Sequence, residues 1–166
     1  MSYIITCIDK EGGIGLNNDL PWKDTEDGKH DMKMFRQLTT NNAVIFGYNT
    51  YKSIGKPLPK RLNIVVTNSH YDEVKEENNS CLHVFKTLEE AVNFGKEYET
   101  NTQNKCFICG GSKLYSSYLE KYKPKSLYIT ILGEIYDCDS FFPLNDLPKE
   151  KNIELVSTNM ILLHYV

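Results

Sequence analysis

The sequence has no long hydrophobic run. Its longest apolar stretch near the C-terminus, Met160 to Leu163, is far short of the roughly 20 residues a bilayer crossing needs, so a membrane-spanning class is excluded. It also has no stripe of one charge. Lys and Arg total 19 against 22 Asp and Glu, and the cations are scattered singly among acids, so no nucleic-acid partner is expected. There is no basic leader with a small-residue cleavage site. Met1-Ser2-Tyr3-Ile4-Ile5 enters an apolar, strand-like run at once, which predicts a cytoplasmic protein. Five cysteines, an odd number, then read as reduced thiols that pack as small hydrophobes. Cys106 and Cys109 mimic a C-x-x-C pair, but in a strand residues three apart face opposite ways, which argues against a redox or zinc role. Asn78-Asn79-Ser80 matches a glycosylation acceptor only by chance if the chain is not exported. No H-E-x-x-H, G-x-S-x-G or Walker loop occurs, and His30, His70, His83 and His164 are dispersed, so metallohydrolase, serine hydrolase and NTPase chemistries have no support.

What is present is an ordinary globular composition, 40% hydrophobic and 25% charged, in a 166-residue chain, which predicts one domain spanning 1–166. Short runs rich in β-branched and aromatic residues read as strands at Tyr3 to Ile8, Ala43 to Phe46, Leu62 to Thr67, Leu82 to Phe85, Lys105 to Cys109, Leu127 to Leu132, Ile153 to Val156 and Met160 to Val166. Helical patterns fall at Asp31 to Leu38, at Leu88 to Tyr98 behind a Thr87/Glu90 capping box, and after Gly110-Gly111, where Leu114, Tyr115, Tyr118 and Leu119 share a face. Alternating strands and helices predict an α/β fold with a mainly parallel eight-stranded sheet and flanking helices. The last two strands, joined around Thr158-Asn159, must form a C-terminal antiparallel hairpin. Lys23 to His30, Asn68 to Ser80 and Glu99 to Asn104 read as polar loops.

Four places can carry chemistry. Gly12 to Trp22 follows the first strand, flexible with glycine and closed by a rigid Pro21-Trp22; it reads equally as a mobile lid or as a surface turn whose Trp packs inward. Asp31 stands four residues before Phe35 on one helical face, either aimed along an apolar stripe or capping a helix N-terminus. Gly110-Gly111 joins a strand to a helix whose free N–H groups suit a phosphate, or forms a tight turn. Arg61, after the proline-kinked Lys56-Pro57-Leu58-Pro59-Lys60, presents a planar fork to a carboxylate or is a solvated surface arginine.

The order and spacing of several pieces resemble the dihydrofolate reductase family along nearly the whole chain. They are Ile14-Gly15 with Leu20-Pro21-Trp22, Asp31-Met32-Lys33-Met34-Phe35-Arg36, Phe46-Gly47 with Thr50, Ser53 to Pro59 with Arg61, Asn63 and Ile64, Cys109-Gly110-Gly111-Ser112 with Tyr115, and Leu127-Tyr128-Ile129-Thr130. The resemblance implies reduction of dihydrofolate to tetrahydrofolate by hydride transfer from NADPH, with no metal. It makes Asp31, Trp22, Leu20 and Thr130 the catalytic group: Asp31 binds the amino-pyrimidine side of the pterin and favours its protonation, Thr130 supports Asp31, and Trp22 holds a water nearby. Ile5, Cys7, Phe35, Ile54 and Leu58 line the pterin and benzoyl slot, and Arg61 clamps the glutamate carboxylate. Ile14, Gly15, Gly47, Asn49, Thr50, Thr67, Asn68, Lys86, Cys109, Gly110, Gly111, Ser112, Lys113, Leu114 and Tyr115 hold the cofactor, with Gly110-Gly111 a cis peptide. A monomer is implied unless the chain is fused to or associated with thymidylate synthase.

Two departures stand out. Asp24 to Gly28 is inserted between Trp22 and Asp31, which makes Asp27 a rival carboxylate; Asp31 is preferred because it leads directly into the Met-x-x-Phe helix face. Tyr48 stands where the family usually has Arg or Lys at the cofactor phosphates, with Lys86, Lys113 and Asn68 nearby in the pattern. A riboflavin-pathway-type reductase, or a non-catalytic pterin- or nucleotide-binding descendant, is the alternative; the first lacks the Leu-Pro-Trp, Asp31 and Arg61 set. Tyr48 predicts weakened, not reversed, preference for NADPH. Tyr48→Arg is accordingly expected to raise the ratio of kcat/KM for NADPH over NADH, and an unchanged ratio would count against the reading.

Overall fold

The computed structural model describes residues 2–149, 151–156 and 159–165. Strands β1 (Tyr3–Ile8), β3 (Ala43–Gly47), β4 (Leu62–Val66), β5 (Leu82–Phe85), β6 (Cys106–Ile108), β7 (Ser126–Ile131), β9 (Lys151–Leu155) and β10 (Met160–Tyr165) form one eight-stranded sheet in the order β5-β4-β3-β6-β1-β7-β10-β9. All neighbours are parallel up to β7; β10 runs antiparallel to both β7 and β9. This is the expected mainly parallel sheet with its C-terminal hairpin, although Thr158 in the turn and Val166 lie outside the described residues. A separate two-stranded ribbon of β2 (Gly13–Gly15) and β8 (Ser140–Phe141) stands apart from it and was not expected.

The strands carry apolar residues on both faces because helices cover both. On β1, Ile4 and Ile8 join the core beneath α4 (Leu88–Thr102) and α5 (Ser112–Lys121), whereas Tyr3 and Ile5 point the other way, into a cluster with Phe35 and Leu38 of α1 (Glu26–Thr39). A third cluster, around Val44, Phe46 and Val65, takes Tyr51 from α2 (Tyr48–Ile54) and Val74 from α3 (Tyr71–Glu76). Chain order fixes where a ligand can enter. After β1 the chain crosses to β3 and leaves a gap that β6 fills later, before the chain passes to β7 on the far side of β1, so the direction of winding reverses there. That is the switch point at which open α/β sheets bind ligands.

Three stretches read as loops are corrected. Lys23 to His30 contains the start of α1, capped by Thr25, whose hydroxyl accepts from Gly28 N at 3.0 Å. The segment inserted before Asp31 therefore lengthens a helix, and Asp31 lies inside α1 and is no cap. Asn68 to Ser80 contains α3, and Glu99 to Asn104 contains the end of α4, which closes at Gln103 in the left-handed region (φ 61). These turns are polar on nearly every side, so no apolar stripe announced them. The capping box before α4 is present, with Thr87 Oγ1 accepting from Glu90 N at 3.2 Å and donating to its carboxylate at 2.9 Å.

Gly28 holds α1 against the turn that precedes it. A Cβ here would lie 1.8 Å from the Trp22 carbonyl oxygen, a backbone atom that cannot swing aside. Gly28→Ala is expected to destabilise the protein by about 3 kcal/mol through overpacking, read as a lower urea midpoint with an unchanged m-value.

Candidate active site

A cleft of about 950 Å³ opens at the switch point. Its floor is the end of β1 (Ile5, Thr6, Cys7) and its walls are α1 (Asp31, Phe35), the lid segment (Ile14, Gly15, Leu20), and the run from Phe46 through Asn49, Thr50 and Ile54. The far limb is closed by Thr67, His70 and the whole of Cys109 to Tyr115. Size and mixed lining suit an organic ligand as large as a substrate with part of a cofactor.

Asp31 is the half-buried carboxylate of the cleft; Asp19, also in the lining, is exposed and paired with Lys23. Asp31 meets Cys7 and Thr130, which are direct partners across the β1/β7 pairing. Burial raises its pKa above the usual carboxylate range; hydrogen bonding from Thr130 and Cys7 and the charge of His30 pull back without cancelling it. Thr130 Oγ1 makes no hydrogen bond of full geometry, yet it lies close enough to act on Asp31 as a donor would. The Cys7 thiol is pushed far up by burial and by Asp31, so it stays protonated and can only donate. The rival Asp27 is exposed and borders a separate, shallower hollow of about 550 Å³ with His30 and Ile131.

Other expected residues fall in three groups. Gly47, Ser112, Lys113 and Leu114 line the cleft, and Gly110-Gly111 is a cis peptide. Tyr115 is buried there, its hydroxyl donating to the Ile5 carbonyl at 2.7 Å. Trp22 and Leu58 lie behind the lining. Trp22 is fully buried, edge-on to Tyr136 at 5.4 Å, with no partner for Nε1; Leu58 is held at both backbone atoms by Asn63. Arg61, Asn68 and Lys86 are outside the lining. Arg61 is only 8% exposed, donates to the Pro59 carbonyl at 2.9 Å and to Thr39 Oγ1 at 3.2 Å, and has no acidic partner among the described residues. Lys86 packs over the Tyr71 ring at 4.9 Å.

The α5 N-terminus presents uncapped backbone donors to the cleft. Its N-cap is Gly111, which supplies no side-chain cap, so the first-turn N–H groups of Ser112, Lys113 and Leu114 are free beside the cis glycine pair. This is the structural feature that fits a dinucleotide's phosphates.

The lid is anchored by a residue the sequence reading passed over. Asp9 is 1% exposed and accepts from Glu11 N and Gly13 N at 2.8 Å and from Tyr136 N at 3.0 Å. Burial alone would raise its pKa; the backbone donors of Tyr136, Gly13 and Glu11 outweigh burial and hold it low. Asn17 N donates to Asp139 at 3.1 Å, and Asp139 N to the Gly15 carbonyl at 2.9 Å, so the lid leans on the β8 segment. The only hint in the sequence was an Asp before Gly12-Gly13, a common turn former. Thr6, Ser53 and His70 also line the cleft without having been expected there, and Tyr48 lines it as its place in the cofactor motif implied.

Residues 1–159 match the family model described as dihydrofolate reductase. A dihydrofolate reductase of Bacillus subtilis is 34% identical over 158 residues, covering 95% of this chain and 83% of that protein. A segregation and condensation protein A of Mycoplasmoides gallisepticum is 36% identical over 145 residues, 87% of this chain, and the chain spans only 22% of that protein's length. Among solved structures, dihydrofolate reductase from Enterococcus faecalis, complexed with NADP(H) and RAB-propyl, superposes with a TM-score of 0.74 at 25% identity, covering 99% of this chain and 95% of that one.

Because burial raises the Asp31 pKa, its folded form binds a proton more readily than its unfolded form. The charged carboxylate then weakens the fold increasingly as pH climbs from 3.8, the ordinary value, through the raised one. Asp31→Asn is expected to have a higher Tm than the native protein at pH 7 and to lose that advantage near pH 3.5, as thermal scans across the range will show.

Proposed function

This chain belongs to the dihydrofolate reductase family, and we propose that it reduces 7,8-dihydrofolate to tetrahydrofolate with NADPH, Asp31 assisting protonation. The observation that carries the role of Asp31 is its position: it is a half-buried carboxylate in the large cleft, and burial raises its pKa, which favours its taking up a proton. The riboflavin-type and non-catalytic readings are not favoured, since the family match runs over 1–159.

When bound, NADPH supplies a hydride, two electrons and one proton's worth of hydrogen, to the substrate. Everything else falls to the chain. Asp31 accepts hydrogen bonds from the amino-pyrimidine edge and favours a proton on the neighbouring imine nitrogen; the Thr130 hydroxyl and Cys7 thiol beside it favour the charged carboxylate. Ile5, Phe35, Leu20 and Ile54 form an apolar slot for flat rings, with Leu58 packed behind it. Arg61, a nearly buried guanidinium whose burial and whose neighbour Arg36 both disfavour its charge, is suited to the glutamate carboxylate of the substrate, which would relieve it. Trp22, with its buried and unpartnered Nε1, is suited to hold a water at the edge of the site. The free N–H groups at Ser112 to Leu114 suit the cofactor's pyrophosphate, and Gly47, Asn49, Thr50 and Thr67 its adenosine end. The segment carrying Ile14, Gly15 and Leu20 borders the cleft and is placed to shield the reacting faces from water.

The same reading makes 1–166 a single catalytic domain in the cytoplasm, with dihydrofolate as its partner, acting as a monomer unless joined to thymidylate synthase. The experiment is the loss of NADPH absorbance on adding dihydrofolate. Asp31→Asn is expected to lower kcat by about 100-fold or more while still binding NADPH. A variant as fast as the native enzyme would remove Asp31 from the mechanism.

A further inference from the structure

The rim of the cleft's far limb is built from aromatic rings and an acid, with few free cations. Tyr48 and His70, both in the lining, stack face to face with ring centroids 3.8 Å apart and planes 5° from parallel. The Tyr48 hydroxyl reaches both carboxylate oxygens of Glu73 on α3, at 2.9 and 3.1 Å. Glu73 also takes Lys52 Nζ at 3.1 Å. The Tyr48 hydroxyl and Lys52, in that order, hold its pKa below the usual carboxylate value, so it is ionised at neutral pH. Lys86 lies over the ring of Tyr71, also on α3, as does Lys75, while Lys113 lines the cleft from α5. One short helix thus engages Lys52, Lys75 and Lys86 and sets a negative charge one hydroxyl away from the cleft.

Geometry decides what meets that charge. With the transferred hydride near Asp31 and the pyrophosphate at the α5 N-terminus, the second ribose must enter the limb lined by Tyr48, Thr67 and His70. A ribose there carries either a hydroxyl or a phosphate at its 2′ position. An acid next to it tolerates the hydroxyl and repels the phosphate, whereas a free cation does the reverse. We propose that Glu73, locked to Tyr48 and Lys52, is a specificity-determining residue that narrows this enzyme's preference for NADPH over NADH by neutralising the rim around the cofactor's 2′-phosphate. The proposal rests on the cofactor reading above. It differs from the loss of a cation at position 48, because it assigns the discrimination to an acid that position 48 holds in place.

Two fragments isolate the interaction without turnover: adenosine 2′,5′-bisphosphate and adenosine 5′-monophosphate, which differ only in the 2′-phosphate. In calorimetry on the full chain, Glu73→Gln keeps a partner for Tyr48 and releases Lys52. It is expected to tighten the bisphosphate about fivefold while changing the monophosphate less than twofold. The gain should shrink as salt rises from low to about 0.5 M, because the effect is a screened charge interaction. Tyr48→Phe keeps the ring on His70 and removes only the hydroxyl that fixes Glu73, so it should shift selectivity the same way by a smaller factor. Equal changes for both fragments, or no change in either, would overturn the proposal. Kinetics with NADPH and NADH then separate it from the reaction itself. If the fragments behave as expected but dihydrofolate is not reduced, the reaction assigned above fails and the role of Glu73 stands.

Discussion

Asp31 holds its carboxylate on the cleft wall against the cost of leaving water, and the Thr130 hydroxyl, the Cys7 thiol and the charge of His30 offset part of that cost. The hydroxyl and the thiol are adjacent because β1 pairs with β7 in parallel register, Cys7 opposite Thr130. A slip of one residue in that register would turn both away and leave the carboxylate facing apolar side chains. The central strands therefore do more than fill the core. Their alignment sets the protonation behaviour of the one group in the cleft suited to proton chemistry.

From this the placement of α1 follows. The helix has to approach the sheet closely enough to sink Asp31, yet its first turns are polar and offer little apolar surface to dock. Contact with the backbone around Trp22 supplies the rest: Thr25 caps the helix and hydrogen-bonds the Trp22 carbonyl at 2.7 Å, while Gly28 lets the two backbones nearly touch. The lid, the tryptophan turn and the acid-bearing helix are one continuous unit. Asp9 fastens its near end to the loop at Tyr136 through three backbone donors.

The sheet and the chemistry of the site were legible in the sequence for related reasons. Buried parallel strands need unbroken apolar runs, so Tyr3 to Ile8 and Ala43 to Phe46 announce themselves. Asp31 and Gly110-Gly111 stand out because few residue types can do what those positions require. The surface helices were not legible. In α3 only Val74 is buried, so no repeating stripe marks it, and the polar first turns of α1 look like a loop. Missing α3 meant missing Glu73, and with it the reason Tyr48 points where it does. The role of Asp9 was hidden too, because three backbone donors converge on it only after the lid and the distant Tyr136 loop have come together. Arg61 was legible as a fork; its near-burial against Thr39 was not.

Trp22 gives the molecule a property unrelated to its place in the fold. It is the only tryptophan among 19 aromatic Phe, Tyr and Trp residues, and it is wholly shielded from water where the lid meets α1. Emission from this protein, excited at the red edge of the indole band, therefore comes from one known point beside the cleft. Tyr136, 5.4 Å from that indole, is near enough to pass its excitation on. The chain carries its own optical gauge of lid position, with no label to attach and no second indole to subtract.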